Sequence, residues 1–175
     1  QIHYKKPSAI SHQPSARLNA DSKKLTAVVQ TYSRNLENTT AMFPELQDIG
    51  KQLNAQEVIL DSEAMGMDPK TGKLIPFQET MTRKRKHHIE KARGNVPLKF
   101  FVFDILYRNG KDLLGMPLSE RRKGLEVVVK KGKILEISPQ IVTDSPAKIR
   151  RYHGEQLRRG LEGVVVKNGI VLMNP

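Results

Sequence analysis

The stretch Leu98-Lys99-Phe100-Phe101-Val102-Phe103-Asp104-Ile105-Leu106-Tyr107 constrains this chain more than any other. From Lys99 onward, seven apolar or aromatic positions surround a single acid, Asp104. Phenylalanine, valine and isoleucine at this density favour an extended strand. Asn109-Gly110, directly after it, is a turn pair suited to closing a strand. The run is far too short to span a bilayer, so it belongs inside a folded domain. Simple alternation puts Phe101, Phe103 and Ile105 on the face opposite Asp104. Aromatics so placed are by default core; alternatively one of them is a platform on which a purine stacks. The acid needs its own explanation, because burying an unpaired charge is costly.

Other segments read as shorter elements. Residues 1–4, 25–33 and 57–65 are strand-like, and residues 5–25, rich in Ser, Pro, Ala, Asn and Lys, form a long exposed loop. Pro44 suits the first position of a short helix with Leu46, Ile49 and Leu53 on one face. Residues 68–72 carry turn chemistry, and residues 77–93 read as a strongly basic helix. A helix is expected over 119–129, with Leu118, Leu125 and Val128 toward the core, and a strand over 133–143. Asp144-Ser145-Pro146 opens a helix whose apolar stripe is Ile149, Tyr152 and Leu157 and which Gly160 stops. His153, on that helix, is expected to be packed. Residues 163–167 form a short buried strand. Strands outnumber helices without a regular βαβ repeat, which points to an α+β fold of mostly antiparallel sheets with flanking helices.

Charge marks the places where these patterns break. In 57–65 alternation puts Asp61 and Glu63 on one face, where they would bind a divalent cation or sugar hydroxyls, or belong to the solvated face of an edge strand. Glu162 sits at the mouth of the valine strand and Lys167 at its far end, and Arg34 ends the second strand. Its planar fork suits a phosphate or ribose, although an exposed arginine is the commoner outcome. The net charge of +12 and pI near 10.0 suggest a polyanion partner, nucleic acid ahead of an anionic membrane, against the alternative of an ordinary basic surface. Arg83, Lys84, Arg85 and Lys86 concentrate that charge, either to contact DNA phosphates or as a solvated helix face. Cysteine is absent, which excludes disulfides and thiolate metal sites. No signal sequence opens the chain, and no membrane partner is expected.

The order of these features is more specific than any one of them. Tyr32-Ser33-Arg34-Asn35, Phe43-Pro44, Ile59-Leu60-Asp61-Ser62-Glu63-Ala64, Pro76-Phe77-Gln78 and the Arg83–Lys86 run follow in turn. Phe103-Asp104-Ile105-Leu106-Tyr107 and Leu161-Glu162-Gly163-Val164-Val165-Val166-Lys167 complete the series. This succession resembles the adenylation domain of ATP-dependent DNA ligases over nearly the whole chain. The resemblance implies an ATP-grasp-like nucleotidyltransferase fold, here incomplete, and nick sealing through lysyl-AMP and DNA-adenylate intermediates. It implies that Arg34 contacts the nucleotide, that Glu63 binds the ribose or helps hold metal, and that Phe103 stacks on adenine. Glu162 would be a metal-site carboxylate near the reacting phosphate, and Lys167 would face the phosphates or DNA. ATP and Mg²⁺ (or Mn²⁺) are the implied cofactors, and nicked duplex DNA the implied partner.

The departures matter equally. No Lys-x-Asp-Gly, the family's motif I with its nucleophilic lysine, occurs in these residues, and neither does the lysine pair of motif V. Residues 1–175 are therefore expected to be a partial adenylation domain, starting after motif I and ending after motif IV and inactive by itself. N-terminal DNA-binding and C-terminal OB-fold segments of the same enzyme would complete it. A monomer located in the cytoplasm, or alternatively the nucleus, is expected. The competing readings are an RNA ligase or capping-type nucleotidyltransferase, and a non-catalytic basic nucleic-acid-binding module.

Overall fold

The computed structural model describes residues 1–6, 27–68, 70–75 and 97–168. Most of the 5–25 loop, the Pro76-Phe77-Gln78 segment, the basic stretch with Arg83, Lys84, Arg85 and Lys86, and the end of the chain lie outside them.

Seven strands of the described residues make one sheet: β1 (Ile2–Lys5), β2 (Val28–Thr31), β3 (Glu57–Met67), β4 (Leu74–Ile75), β5 (Leu98–Arg108), β6 (Lys111–Asp112) and β7 (Leu135–Ile137). The main order is β2-β1-β3-β5-β6, with β4 on β3 and β7 on β5. Every pairing is antiparallel except β5 with β7. The expected α+β class with largely antiparallel pairing is what the chain adopts. The two long strands, β3 and β5, lie side by side at the centre, so β3 is no edge strand.

Alternation along the strands explains the core. Ile2, Tyr4, Val29, Val58, Leu60, Phe100 and Val102 point to one face and are buried. That face is covered by the 3-10 helix Pro44–Gln52, through Leu46 and Ile49, and by α1 (Leu118–Val128), through Leu125 and Val128. Each of these apolar side chains contributes about 1.5–3 kcal/mol by leaving water. Pro44 stands at the start of its helix as expected, but the winding is 3-10. At Gly50 an added Cβ would lie 2.9 Å from the Tyr4 hydroxyl, so the helix approaches β1 closely only because that residue has no side chain.

Turns follow their chemistry. The Asp68 carboxylate accepts N–H bonds from Lys70 and Thr71, and Gly72 takes a positive φ of 67°. Asn109 and Gly110, with φ of 47° and 88°, close the β5–β6 hairpin as a two-residue loop that needs positive φ at both positions. α2 (Pro146–Arg158) begins with the Ser145 hydroxyl accepting from the Lys148 N–H and with Pro146 in its first turn. It ends as a Schellman motif, in which Gly160 N–H donates to Leu157 O and Leu161 N–H to Gln156 O, with Gly160 at φ 87°.

Several expectations fail in instructive ways. The strand expected over 133–143 is only Leu135–Ile137, because Pro139 follows Ser138 and has no N–H to continue the ladder. On α2, Ile149 and Tyr152 are partly buried as expected, but Leu157 is exposed and Gln156 takes the third inward position. His153 is exposed and not packed. Residues 163–167 are not a buried strand: Val165 is 82% and Val166 69% exposed, and no ladder among the described residues includes them. Valine content favours a strand, but a strand exists only where another backbone pairs with it.

Candidate nucleotide-binding face

The sheet face opposite the core carries the charged residues. On β3, Asp61 and Glu63 alternate with buried Leu60, so both project from this face. Glu63 pairs in register with Phe101 of β5. Burial raises the Glu63 carboxyl above its ordinary value, and the negative charges of Glu162 and Asp61 raise it further. Asp61 is also raised, first by burial and then by Asp104, while Lys167 pulls it back. These mutual influences place Asp61, Glu63, Glu162 and Lys167 around one region. Lys167 Nζ lies over the Phe103 ring, 5.5 Å from its centroid, in a cation–π contact. The segment bearing Glu162 and Lys167, although unpaired, thus runs across the sheet face that carries Phe103.

Arg34 is not drawn into this group by any hydrogen bond or ion pair among the described residues. It lies exposed in a turn beyond the end of β2. That turn is built by Ser33, whose hydroxyl accepts the N–H groups of Asn35 and Glu37, with Leu36 at φ 60°. No set of three or more acidic or histidine side chains among the described residues converges as a metal cage. Glu63, which feels the charge of Glu162 across this face, still offers with it two carboxylates that fit Mg²⁺, commonly held by one or two carboxylates together with substrate phosphates.

Ile105 is not on the face of Phe101 and Phe103, as alternation suggested, but fully buried against α1. Two register shifts between β3 and β5 break the alternation. Asp104 is 1% exposed and paired through two bonds to Arg121, itself 3% exposed on α1, with N···O distances of 2.8 and 2.9 Å. Removing either partner alone would strand a buried charge, at a cost of about 3–5 kcal/mol. Arg121 escaped the sequence reading, yet a signal existed. It lies three residues after Leu118 and four before Leu125, on the apolar face of its helix, where an arginine calls for an acid. Farther along the same sheet face, Lys5 and Glu57 form an ion pair that Tyr107 joins with a 3.1 Å hydroxyl bond to Glu57.

The sequence profile of the family described as "ATP dependent DNA ligase domain" matches residues 16–173. The chain belongs to the ATP-dependent DNA ligase domain family. A curated relative, the "Probable DNA ligase" of Dictyoglomus turgidum, is 41% identical over 140 residues, which cover 79% of this chain and 24% of that protein. Among solved structures, the ligase domain from M. tuberculosis LigD superposes with a TM-score of 0.61 at 26% identity, covering 85% of this chain and 43% of that one. A mycobacterial DNA ligase D solved with ATP and MES gives the same score and identity, covering 84% and 44%. The chain therefore spans about a quarter of the curated relative and under half of each solved chain.

No helix of the described residues is long and apolar enough to cross a membrane.

Proposed function

We propose that these residues form the nucleotide-binding face of an enzyme that seals nicks in duplex DNA with ATP. What supports this is Lys167 Nζ over the Phe103 ring, on the sheet face from which Asp61 and Glu63 project and where Glu63 feels the charge of Glu162. An aromatic ring flanked by carboxylates and a cation has the parts an adenine nucleotide needs: a stacking surface, acceptors for ribose hydroxyls and a positive group for phosphate.

In the mechanism this family implies, a lysine attacks the α-phosphate of ATP and pyrophosphate leaves. The AMP then passes to the 5′-phosphate of the nick, and the 3′-hydroxyl displaces AMP as the new phosphodiester forms. Little covalent work falls on the surrounding protein, so orientation and charge dominate. Phe103 fixes the base, leaving the phosphates free to turn between steps. Glu63 holds the ribose, and Arg34 swings toward the nucleotide from its exposed turn. Lys167, now over the ring, moves to the phosphates once the base takes its place. Mg²⁺ held by Glu63 and Glu162 would spread the negative charge of the phosphates. Arg83, Lys84, Arg85 and Lys86 are assigned to phosphates flanking the nick.

The test uses the ligase polypeptide that carries these residues, given ATP, Mg²⁺ and a nicked substrate of DNA or of RNA. Sealing of nicked DNA, abolished by Glu162→Ala, is the expected result. Sealing confined to RNA would favour the RNA ligase reading, and failure to form an enzyme–AMP adduct would favour a non-catalytic module.

A further inference from the structure

An irregularity in the sheet falls at Phe103. Between β3 and β5, Leu60 pairs with Ile105, Asp61 with Asp104 and Ser62 with Val102. Over this span β5 therefore uses one residue more than β3, and Phe103 with Asp104 opposes the single residue Asp61. Burial records the consequence. Asp104 and Ile105, adjacent in sequence, are both buried, whereas Phe103 stands on the other face. An extra residue of this kind bends its strand, disrupts the ladder and re-aims a side chain.

The same residue that follows Phe103 repairs the disruption. Asp104 Oδ1 accepts the Ile105 N–H at 2.9 Å. Its two oxygens also receive Nε and Nη2 of Arg121. The remaining arm of that guanidinium, Nη1, donates to Met116 O at 2.5 Å, tying it to the turn that leads into α1. Carboxylate and guanidinium are both almost wholly shielded, so water does not compete for these bonds. As a source of stability the pair is replaceable, since matched apolar residues commonly do as well. An apolar pair cannot, however, hold the irregular backbone beside Phe103.

We infer that the Asp104–Arg121 pair is a positioning device, locking the irregularity in β5 so that the Phe103 ring is presented to an adenine base. This rests on the stacking role proposed for Phe103. Neither residue touches the nucleotide; both act through the direction of one ring.

The test is made in the ligase polypeptide that carries these residues, with Asp104→Leu and Arg121→Met combined to remove both charges at similar volume. Melting temperature is measured without ligand, and the rate of enzyme–AMP formation is followed against ATP concentration. The expected result is a melting temperature equal to or above wild type together with a KM for ATP raised roughly tenfold, the scale of a lost base–aromatic stack. Adding Phe103→Ala to that background should raise KM little further, because the two changes act through one ring. A wild-type KM in the folded double variant, or a full additive effect of Phe103→Ala, would overturn the inference. If the double variant does not fold, Arg121→Lys serves instead: the buried charge stays paired but the two-point fork is lost, so KM should rise, and an unchanged KM overturns the inference again. Phe103→Ala alone reports on the platform. If it leaves KM unchanged, the stacking role falls and the inference with it. If it raises KM while the paired variants do not, positioning alone fails.

Discussion

Glu63 illustrates how a side chain can be unfavourable to the fold yet suited to a ligand. Its carboxyl is raised by burial and by Glu162 and Asp61, so the folded state holds its proton more tightly than the unfolded chain does. The sign of the linkage follows: the stabilising contribution is present below the unfolded carboxyl value and is lost as pH rises through the raised folded value. Glu63→Gln should therefore raise the melting temperature at neutral pH, and the gain should vanish on acidification toward pH 4. Added Mg²⁺ should stabilise the wild-type protein more than the variant, and thermal melts with and without the ion read both effects. A variant that melts lower than wild type at neutral pH would contradict this account. At Phe103 the expectation concerns the ring alone. Phe103→Tyr should leave the KM for ATP within about twofold, whereas Phe103→Ala should raise it roughly five- to a hundredfold, as loss of one stacked base implies.

At the scale of elements, a single side chain joins parts far apart in the sequence. Gln52, at the end of the 3-10 helix, accepts the N–H groups of Ile134 and Leu135 with its Oε1 and donates from Nε2 to the carbonyls of Lys130 and Leu135. It thereby docks the loop that leads into β7 onto the helix. A Cβ at Gly132 would lie 2.2 Å from the Gln52 amide and expel it. Gly132→Ala and Gln52→Ala should each cost about 2–3 kcal/mol, the scale of several amide bonds lost from a half-buried site. Urea unfolding should show equal losses for the two and little further loss when they are combined, since both remove the same clamp. Gly160→Ala should cost about 1 kcal/mol, because its φ of 87° closes α2 and a Cβ would lie 3.3 Å from the Leu74 carbonyl. Gly160→Asn, which tolerates the left-handed region, should recover part of that loss.

For the whole molecule, the relevant quantity is the charge of +12 on a chain whose described core is an ordinary apolar one. Affinity for nicked duplex should fall steeply with salt if this charge meets phosphates. On a log–log plot the slope should lessen by about 0.9 for each phosphate contact removed. Replacing Arg83, Lys84, Arg85 and Lys86 with alanine should flatten the slope by a few such steps while leaving the KM for ATP in enzyme–AMP formation unchanged. An unaltered slope would assign the run to a solvated surface.

Much of this protein was legible in its sequence because the relevant physics is local. Alternation put Asp61 and Glu63 together on one face of β3, the face turned away from the core. Asn109-Gly110, Ser145-Pro146 and Gly160 marked their turns and caps because each solves a backbone problem within a few residues. What the sequence could not determine depends on which backbone lies alongside. The register shifts that put Ile105 in the core arise between two strands, and no periodicity within β5 reveals them. Pairing decided that residues 163–167, for all their valines, join no ladder among the described residues. Tertiary contact decided that Lys167 covers Phe103 and that the acid in the apolar strand belongs to Arg121. A buried charge demands a partner by its solvation energy alone, so the sequence announced the need. Only the packing of α1 on the sheet supplied the partner.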